Sequence, residues 1–467
     1  MGLTWRLAAM ALFLGWPTVA PAQRAERKPT THTIKPGPKA EAEVLRVLND
    51  RVRPGDTIEF AEGTFAFTRE LTLRTNRVTI RGQGMAKTTL TFKGQDQGKQ
   101  GILVNRDGFV LADLTVEDTK GDGVKVEGGK DVTFRRVRAR WSGKPKASNG
   151  AYGIYPVLCT GVLVEECEAY GASDAGIYVG QSEKIIVRRC RAEQNVAGIE
   201  IENSSDADVY DNVVTNNTGG LLIFDLPDLP VKNGKRVRAF HNKVLGNNHP
   251  NFATPGTMVS TVSPGTGLVV MATDQVEVFK NEIRGNNTFN LSVASYHVTG
   301  RPYRDAGYDP VPEGVWVHDN TFADGGLKPA GERGELFAGL LGTPLPDMVW
   351  DGIVSKDGKP GPERRVVFQN NGGATFANLN WASLGPQLAA AKTKEDFQKA
   401  IAAHRDKVAR DLKPHTGGLK PLPEVKLTGW QVKALAGLTA VAYALPARRV
   451  FQSPDREGGA ALSQARP

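Results

Sequence analysis

The stretch GIYPVLCTGVLVEECEAYGASDAGIYVGQSEKIIVRRCRAEQNVAGIEIENSSDADVYDNVV, residues Gly153 to Val214, is one unit written three times. Each copy opens on a glycine (Gly153, Gly176, Gly198) and runs through alternating apolar residues. It closes on apolar, any, apolar, two polar residues, then Cys or Asn. The glycines are 23 and 22 residues apart, and Gly220 follows after another 22. GLVVMATDQVEVFKNEI from Gly267 is a further copy, and seven segments carry the closing pattern.

A fixed period in this range marks a solenoid, whose turns cannot bury an apolar face alone and must stack. Alternation with period two makes the stacked units strands. The expectation is an all-β chain, a right-handed parallel β-helix with about three short strands per coil and coils roughly 4.8 Å apart.

Aligned coils give columns with physical sense. Val137, Cys167, Cys190, Asn212, Asn242, Asn281 and Asn320 form an inward stack that becomes an asparagine ladder, able to satisfy its own amides without water. Beside it run Arg135, Glu165, Arg188, Tyr210, then Arg136, Glu166, Arg189, Asp211, His241, Lys280, Asp319, and after it Arg138, Glu168, Arg191. Alternating signs place each carboxylate between two guanidinium groups and disfavour a one-coil slip. These charges, with His241 and His318, read as structural. Cys167 and Cys190 fall in one column roughly 5 Å apart, a separation that fits either a disulfide or two packed thiols.

Composition agrees. Of 467 residues, 52 are Gly and 7% aromatic, a turn-rich profile. The formal net charge of +9 favours acidic partners such as uronate polysaccharides or envelope phosphates. Nucleic acid is disfavoured because the basic residues are dispersed or paired with acids. Residues 1–22 hold Arg6, an apolar run Leu7 to Trp16 and Ala20-Pro21-Ala22, the layout of a secretory signal peptide. No stretch is long enough to span a membrane, so the expected location is the periplasm or outside the cell.

Residues 23–37 read as a flexible lead. The β-helix domain is placed at 38–375, opening on an amphipathic capping helix, Pro38 to Val52, with Val44, Leu45, Leu48 and Val52 on one face. A helical C-terminal cap is placed at 376–427, where Thr393 and Asp396 mark a helix start and Phe397, Ile401 and Val408 a face. Residues 428–467 read as a disordered tail. Long excursions break the period at Ser142–Tyr152, Leu226–Arg236, His249–Pro264 and Val298–Pro312.

The stretches YGIYPVLCTGVLVEECEAYGASDAGIYVGQS (Tyr152 to Ser182), NVAGIEIENS (Asn195 to Ser204) and IFDLPDLP (Ile223 to Pro230) resemble those of the bacterial family of exported parallel β-helix repeat proteins, across roughly Pro54 to Leu427. More distantly the chain resembles pectate lyases and mannuronan C5-epimerases of the pectin-lyase-like superfamily, through Pro54-Gly55-Asp56 near the first coil. The epimerase Asp-Pro-His-Asp motif is absent, so no catalytic residue carries over. The resemblance implies an envelope partner of the exported c-type cytochrome kind, although this chain has no Cys-x-x-Cys-His of its own.

In the Gly-led strands the second and fourth residues after Gly point outward. They give one row of Lys125, Tyr155, Tyr178, Glu200, Leu222 and Val269 and a second of Glu127, Val157, Gly180, Glu202, Phe224 and Met271. Tyr155, Tyr178, Glu200, Glu202, Phe224 and Asp225 are therefore the expected ligand-binding strip for a polysaccharide or a partner protein. The alternative is a lyase, epimerase or hydrolase acting on acidic polysaccharide, with Glu200, Glu202, Asp225 and Arg301 as its catalytic candidates. Glu200 and Glu202 lie near 7 Å apart, yet as an exposed pair they would keep ordinary acidity. A lyase would use clustered acids such as Asp174, Asp225 and Asp228 to hold Ca²⁺, with Arg301 or Arg304 as base. No other cofactor is evident. His249 and His297 lie on or beside the excursions and read as solvated.

Overall fold

The computed structural model describes residues 27–438 except 356–357 and 359–360. The expected signal peptide and residues 439–467 of the expected tail lie outside the described residues.

All the ladders between coils are parallel and in the register that the columns predict. Sheet I holds eleven strands, among them Tyr152–Val157, Ala175–Gly180, Ala197–Glu202, Gly219–Phe224, Thr266–Met271 and Phe289–Ala294. Two further faces follow in each coil: sheet II (Thr160–Glu165, Glu183–Arg188 and successors) and sheet III (Glu168–Tyr170, Arg191–Glu193 and successors). The tube interior is the apolar core. Ile154, Ile177, Ile199, Leu221, Leu268 and Leu291 stack in it on sheet I, one per coil and all fully buried.

The glycine that opens each unit is a steric requirement. A Cβ at Gly220 would stand 2.5 Å from the carbonyl oxygen of Gly267 in the next coil, so any side chain there pushes two backbones apart.

The asparagine column forms the expected ladder and continues to Asn371. Each side-chain amide donates to the carboxamide oxygen of the next coil, from Asn212 to Asn242 (2.9 Å), Asn281 (3.0 Å), Asn320 (2.9 Å) and Asn371 (3.1 Å). Cys190 heads it, its N–H donating to Asn212 at 2.9 Å. All three cysteines are buried free thiols. A second ladder, five residues later in each coil, links Asn195, Asn217, Asn247 and Asn286.

The charge columns pair as read. Buried Glu165 lies between Arg135 (3.5 Å) and Arg188 (2.8 Å). Glu168 bonds Arg138 (2.7 Å), whereas Arg191 turns to Glu193 (2.6 Å). From Tyr210 onward the first column becomes a stack, Tyr210 on Phe240 (4.8 Å), Phe240 on Phe279 (4.9 Å), Phe279 on His318 (5.2 Å). The Arg136-to-Asp319 column has φ between 51° and 56° at every member, so it also forms the left-handed corner between sheets II and III.

The ends differ from expectation in three ways. First, the lead is not all loose: Thr31–Ile34 pairs in parallel with Thr57–Phe60 as the first rung. The capping helix α1 (Ala40–Arg46) and the turn Val47–Arg51 follow, burying Val44, Val47, Leu48 and Val52. Second, the C-terminal helices are not the end cap. Helices α2 (Gly331–Leu341), α3 (Trp381–Ala390) and α4 (Lys394–His404, with the expected Thr393–Asp396 capping box) pack on the outer face of sheet I, around Phe289, Val349 and Ala377. The tube is closed instead by the segment 409–416, which bridges from Asn378 on sheet I to Phe368 on sheet II. His415 presses there against Trp350 and Phe376.

Third, residues 417–438 are a strap: 417–427, expected in the helical cap, are extended, and 428–438, expected as tail, are ordered and end in a helix. The strap runs back along sheet II and uses acids and carbonyls of its strands as acceptors. The Leu422 N–H donates to Glu277 (2.9 Å), that of Val425 to Asp208 (3.1 Å), and the Gln431 amide to Gly161 O (3.0 Å). It ends in helix α5 (Gly429–Gly437), with a Thr428–Gln431 capping box and Leu438 packed on Val110 and Ala112.

Candidate functional site

Sheet I carries the two predicted outward rows in register, Tyr178 beside Glu200 beside Leu222, and Gly180 beside Glu202 beside Phe224. What alternation could not tell is what covers them. The excursions Leu226–Arg236 and Val298–Pro312 fold over this face and are tied together by the Lys232–Asp305 ion pair and by Asn233, which donates to Gly307 O (2.9 Å) and accepts from Asp309 N (2.9 Å). Tyr296, Tyr303 and Tyr308 pack edge to face over Phe224 and Met271.

Asp225 is the anchor of that lid. It is fully buried, accepts from the Thr273 hydroxyl (2.8 Å) and the Gly234 N–H, and its carbonyl accepts from the Tyr308 hydroxyl (2.7 Å). Burial pushes its carboxyl up to about 7 against those bonds. Arg301, its proposed catalytic companion, stands elsewhere and donates to Thr257 O (3.3 Å). Arg304 is exposed.

Glu200 and Glu202 are not the surface pair expected: they are 1% and 9% exposed. With Asp174 they form an acid cluster under three tyrosines. Tyr152, Tyr155 and Tyr178 have ring centroids 4.4 to 4.9 Å apart. Tyr178 folds back over Gly180, where a Cβ would fall 2.1 Å from its hydroxyl, and bonds Glu202. Burial pushes Glu202 up to about 8 and Asp174 up to about 7, and, with the charges of Asp174 and Glu202, holds Glu200 well above the carboxylate range. One oxygen each of Asp174 and Glu200 has no hydrogen-bond partner. Their ordinary acidity, assumed from exposure, is thus replaced by a protonated character near neutral pH. Among the described residues no set of three or more His, Cys, Asp or Glu is placed to hold a metal ion.

The open space lies in the coils that follow this cluster. A groove of about 1050 Å³ has Leu222, Phe224, Val269, Met271 and Ser292 among its floor residues. The excursion 249–264, the turn at His297–Gly300, and helices α2 and α3 wall it. Only Phe224 of the predicted strip reaches it; Tyr155, Tyr178, Glu200, Glu202 and Asp225 do not line it. Polar groups in its lining include His297, held below its usual range by burial, Glu332, Arg333 and Asp351. Asp351 is already occupied, accepting from Ser295 N (2.6 Å) and Ile353 N (3.0 Å). Helices α2 and α3, which build half the wall, carried no repeat signal. Phe337, Leu340 and Leu384, packed with Phe289 and Val349, hold them in place.

Residues 78–235 match the family model described as a right handed beta helix region. The chain is a right-handed parallel β-helix. It is similar in structure to the A-module of the Azotobacter vinelandii mannuronan C-5 epimerase AlgE4 (15% identity, 71% of this chain, 90% of that one, TM-score 0.47). It is also similar to pectate lyase Pel9A (14%, 70% and 75%, 0.36) and to the Dettilon tailspike protein (12%, 70% and 64%, 0.36). No curated protein sequence matches it. Among the described residues no helix of this β-helix is long and apolar enough to cross a membrane.

Proposed function

We propose that this β-helix is an exported cell-envelope protein that binds its ligand on the outer face of sheet I, in the groove that begins one coil beyond the acid cluster. The observation that carries this reading is the groove itself: about 1050 Å³, floored by rigid strands and walled by three separate insertions. Such a volume stands at the top of the range for small-molecule sites, about 300–1,000 Å³. Insertions on a rigid solenoid are where recognition is placed. Export rests on the leader at 1–22. A polysaccharide or partner protein lying along the solenoid face would meet the groove as its deepest point.

Ser292 points outward from the floor and is part-buried, so Ser292→Trp fills the groove without touching the tube interior. The expected result, by titration calorimetry against alginate, polygalacturonate, dextran and single-chain amphiphiles, is loss of binding in Ser292→Trp and retention in Tyr155→Ala. The reverse pattern would return the site to the tyrosine strip.

One observation favours a second reading. Carboxyls poised near neutrality beside tyrosine hydroxyls are the equipment of proton transfer, as a uronate lyase or epimerase would need. Unsaturated uronate ends released by the protein and lost in Glu202→Gln would establish it.

A further inference from the structure

The lining of the groove says what it takes. Its walls are mostly apolar, with Leu336 and Phe337 from α2, Trp381 and Leu388 from α3, and Phe397 from α4. Against this background one cation stands out. Arg333, in the first turn of α2, lines the groove, and among the described residues its guanidinium has no ion-pair or hydrogen-bond partner. Its charged neighbours are a second cation, Arg301, and the exposed carboxylate of Glu332. Burial and the Arg301 charge lower the Arg333 pKa from its usual value, the mark of a cation short of counter-charge. Asp351 is engaged by two backbone N–H groups and makes no ion pair with Arg333. Helix α2 also opens here with no side-chain cap, which adds the positive end of its dipole.

We infer that the groove binds an acyl chain ending in a carboxylate, the chain against Leu336, Phe337, Trp381 and Phe397 and the head group on Arg333 with Arg301 beside it. This rests on the groove being the binding site, and deepens that reading by naming the ligand class. A planar guanidinium takes a carboxylate through two parallel hydrogen bonds, and a part-buried cation such as Arg333 gains more from such a pairing than an exposed one. A neutral amphiphile would leave Arg333 uncompensated. A polyuronate would supply the anion but leave the apolar walls wet.

The test is titration calorimetry of the mature full-length protein with dodecanoate, dodecanol, dodecyltrimethylammonium and oligogalacturonate, all below aggregation. Dodecanoate is expected to bind at least about tenfold more tightly than dodecanol, and the ammonium not to bind. Arg333→Gln should weaken dodecanoate about tenfold or more and leave dodecanol unchanged, Arg333→Lys should restore part of the loss, and Ser292→Trp should abolish both. Equal affinity for dodecanoate and dodecanol, or indifference to Arg333→Gln, overturns the carboxylate assignment while leaving the groove as a binding site. Binding of oligogalacturonate alone, lost in Ser292→Trp, does the same. Binding unaffected by Ser292→Trp overturns both.

Discussion

Asn242→Ala will cost the protein about 3–5 kcal/mol, although it removes only four side-chain hydrogen bonds from a chain of this length. The reason is where those bonds lie. The Asn242 oxygen accepts from the Asn212 N–H (3.1 Å) and amide (2.9 Å), while its own amide donates to Val209 O (2.8 Å) and Asn281 (3.0 Å). Truncation leaves the Asn212 donors and the Val209 carbonyl without these partners inside the tube, where water does not reach. Each such orphan costs about 1–3 kcal/mol. Because a solenoid is held by nearest-neighbour interfaces, the damage sits at one interface and is not diluted by distant coils. Lys243→Ala, one residue on and exposed, is the control and should stay within about 0.5 kcal/mol. Urea unfolding of both variants checks the contrast, and a loss below about 1 kcal/mol for Asn242→Ala would show that the ladder is decoration.

The second large effect is a pH dependence centred on Glu200. In the folded protein Glu202 titrates at about 8 and Asp174 at about 7, and Glu200 is held well above the carboxylate range, all chiefly by burial. In the unfolded chain they titrate near 4. The folded state therefore holds more protons between these limits, and stability falls as pH rises through that window. The contribution is fully present below about pH 4 and is lost progressively as pH rises through about 7 and 8, where Asp174 and Glu202 titrate. Glu200→Gln keeps the shape of the side chain and removes its titration. It should be more stable than the parent at pH 8 and no more stable at pH 4. Thermal unfolding at both values decides it. Parallel curves for the two proteins would mean that the cluster is hydrated and ordinary.

What the sequence revealed and what it hid follow one physical division. Features that repeat with the coil were visible: the Gly220 column, the Asn212 ladder, the Arg135–Glu165–Arg188 charges. The second ladder through Asn195, Asn217, Asn247 and Asn286 obeys the same period and could have been read by the same alignment. Features set by contacts across sequence were not visible. The direction in which Glu200 and Glu202 point follows from alternation. Their burial depends on Tyr152, Tyr155 and Tyr178 folding over them, and the lid beside them is pinned by Lys232–Asp305 and Tyr308–Asp225, pairs 73 and 83 residues apart. The strap from 417 to 438 has no period, so its first part reads as helical cap and its part from 428 as tail; its order comes from acids on coils 145 and 217 residues away. The groove shares this origin, since its floor is periodic and its walls are not.

The most direct test of the account is backbone amide exchange of the full-length protein with and without dodecanoate. The groove reading predicts slower exchange in Val259–Thr261 at its rim and in the first turns of α2, with no change in the strands Tyr152–Val157 and Ala175–Gly180. Protection confined to those two strands would place the ligand on the tyrosine strip and contradict it.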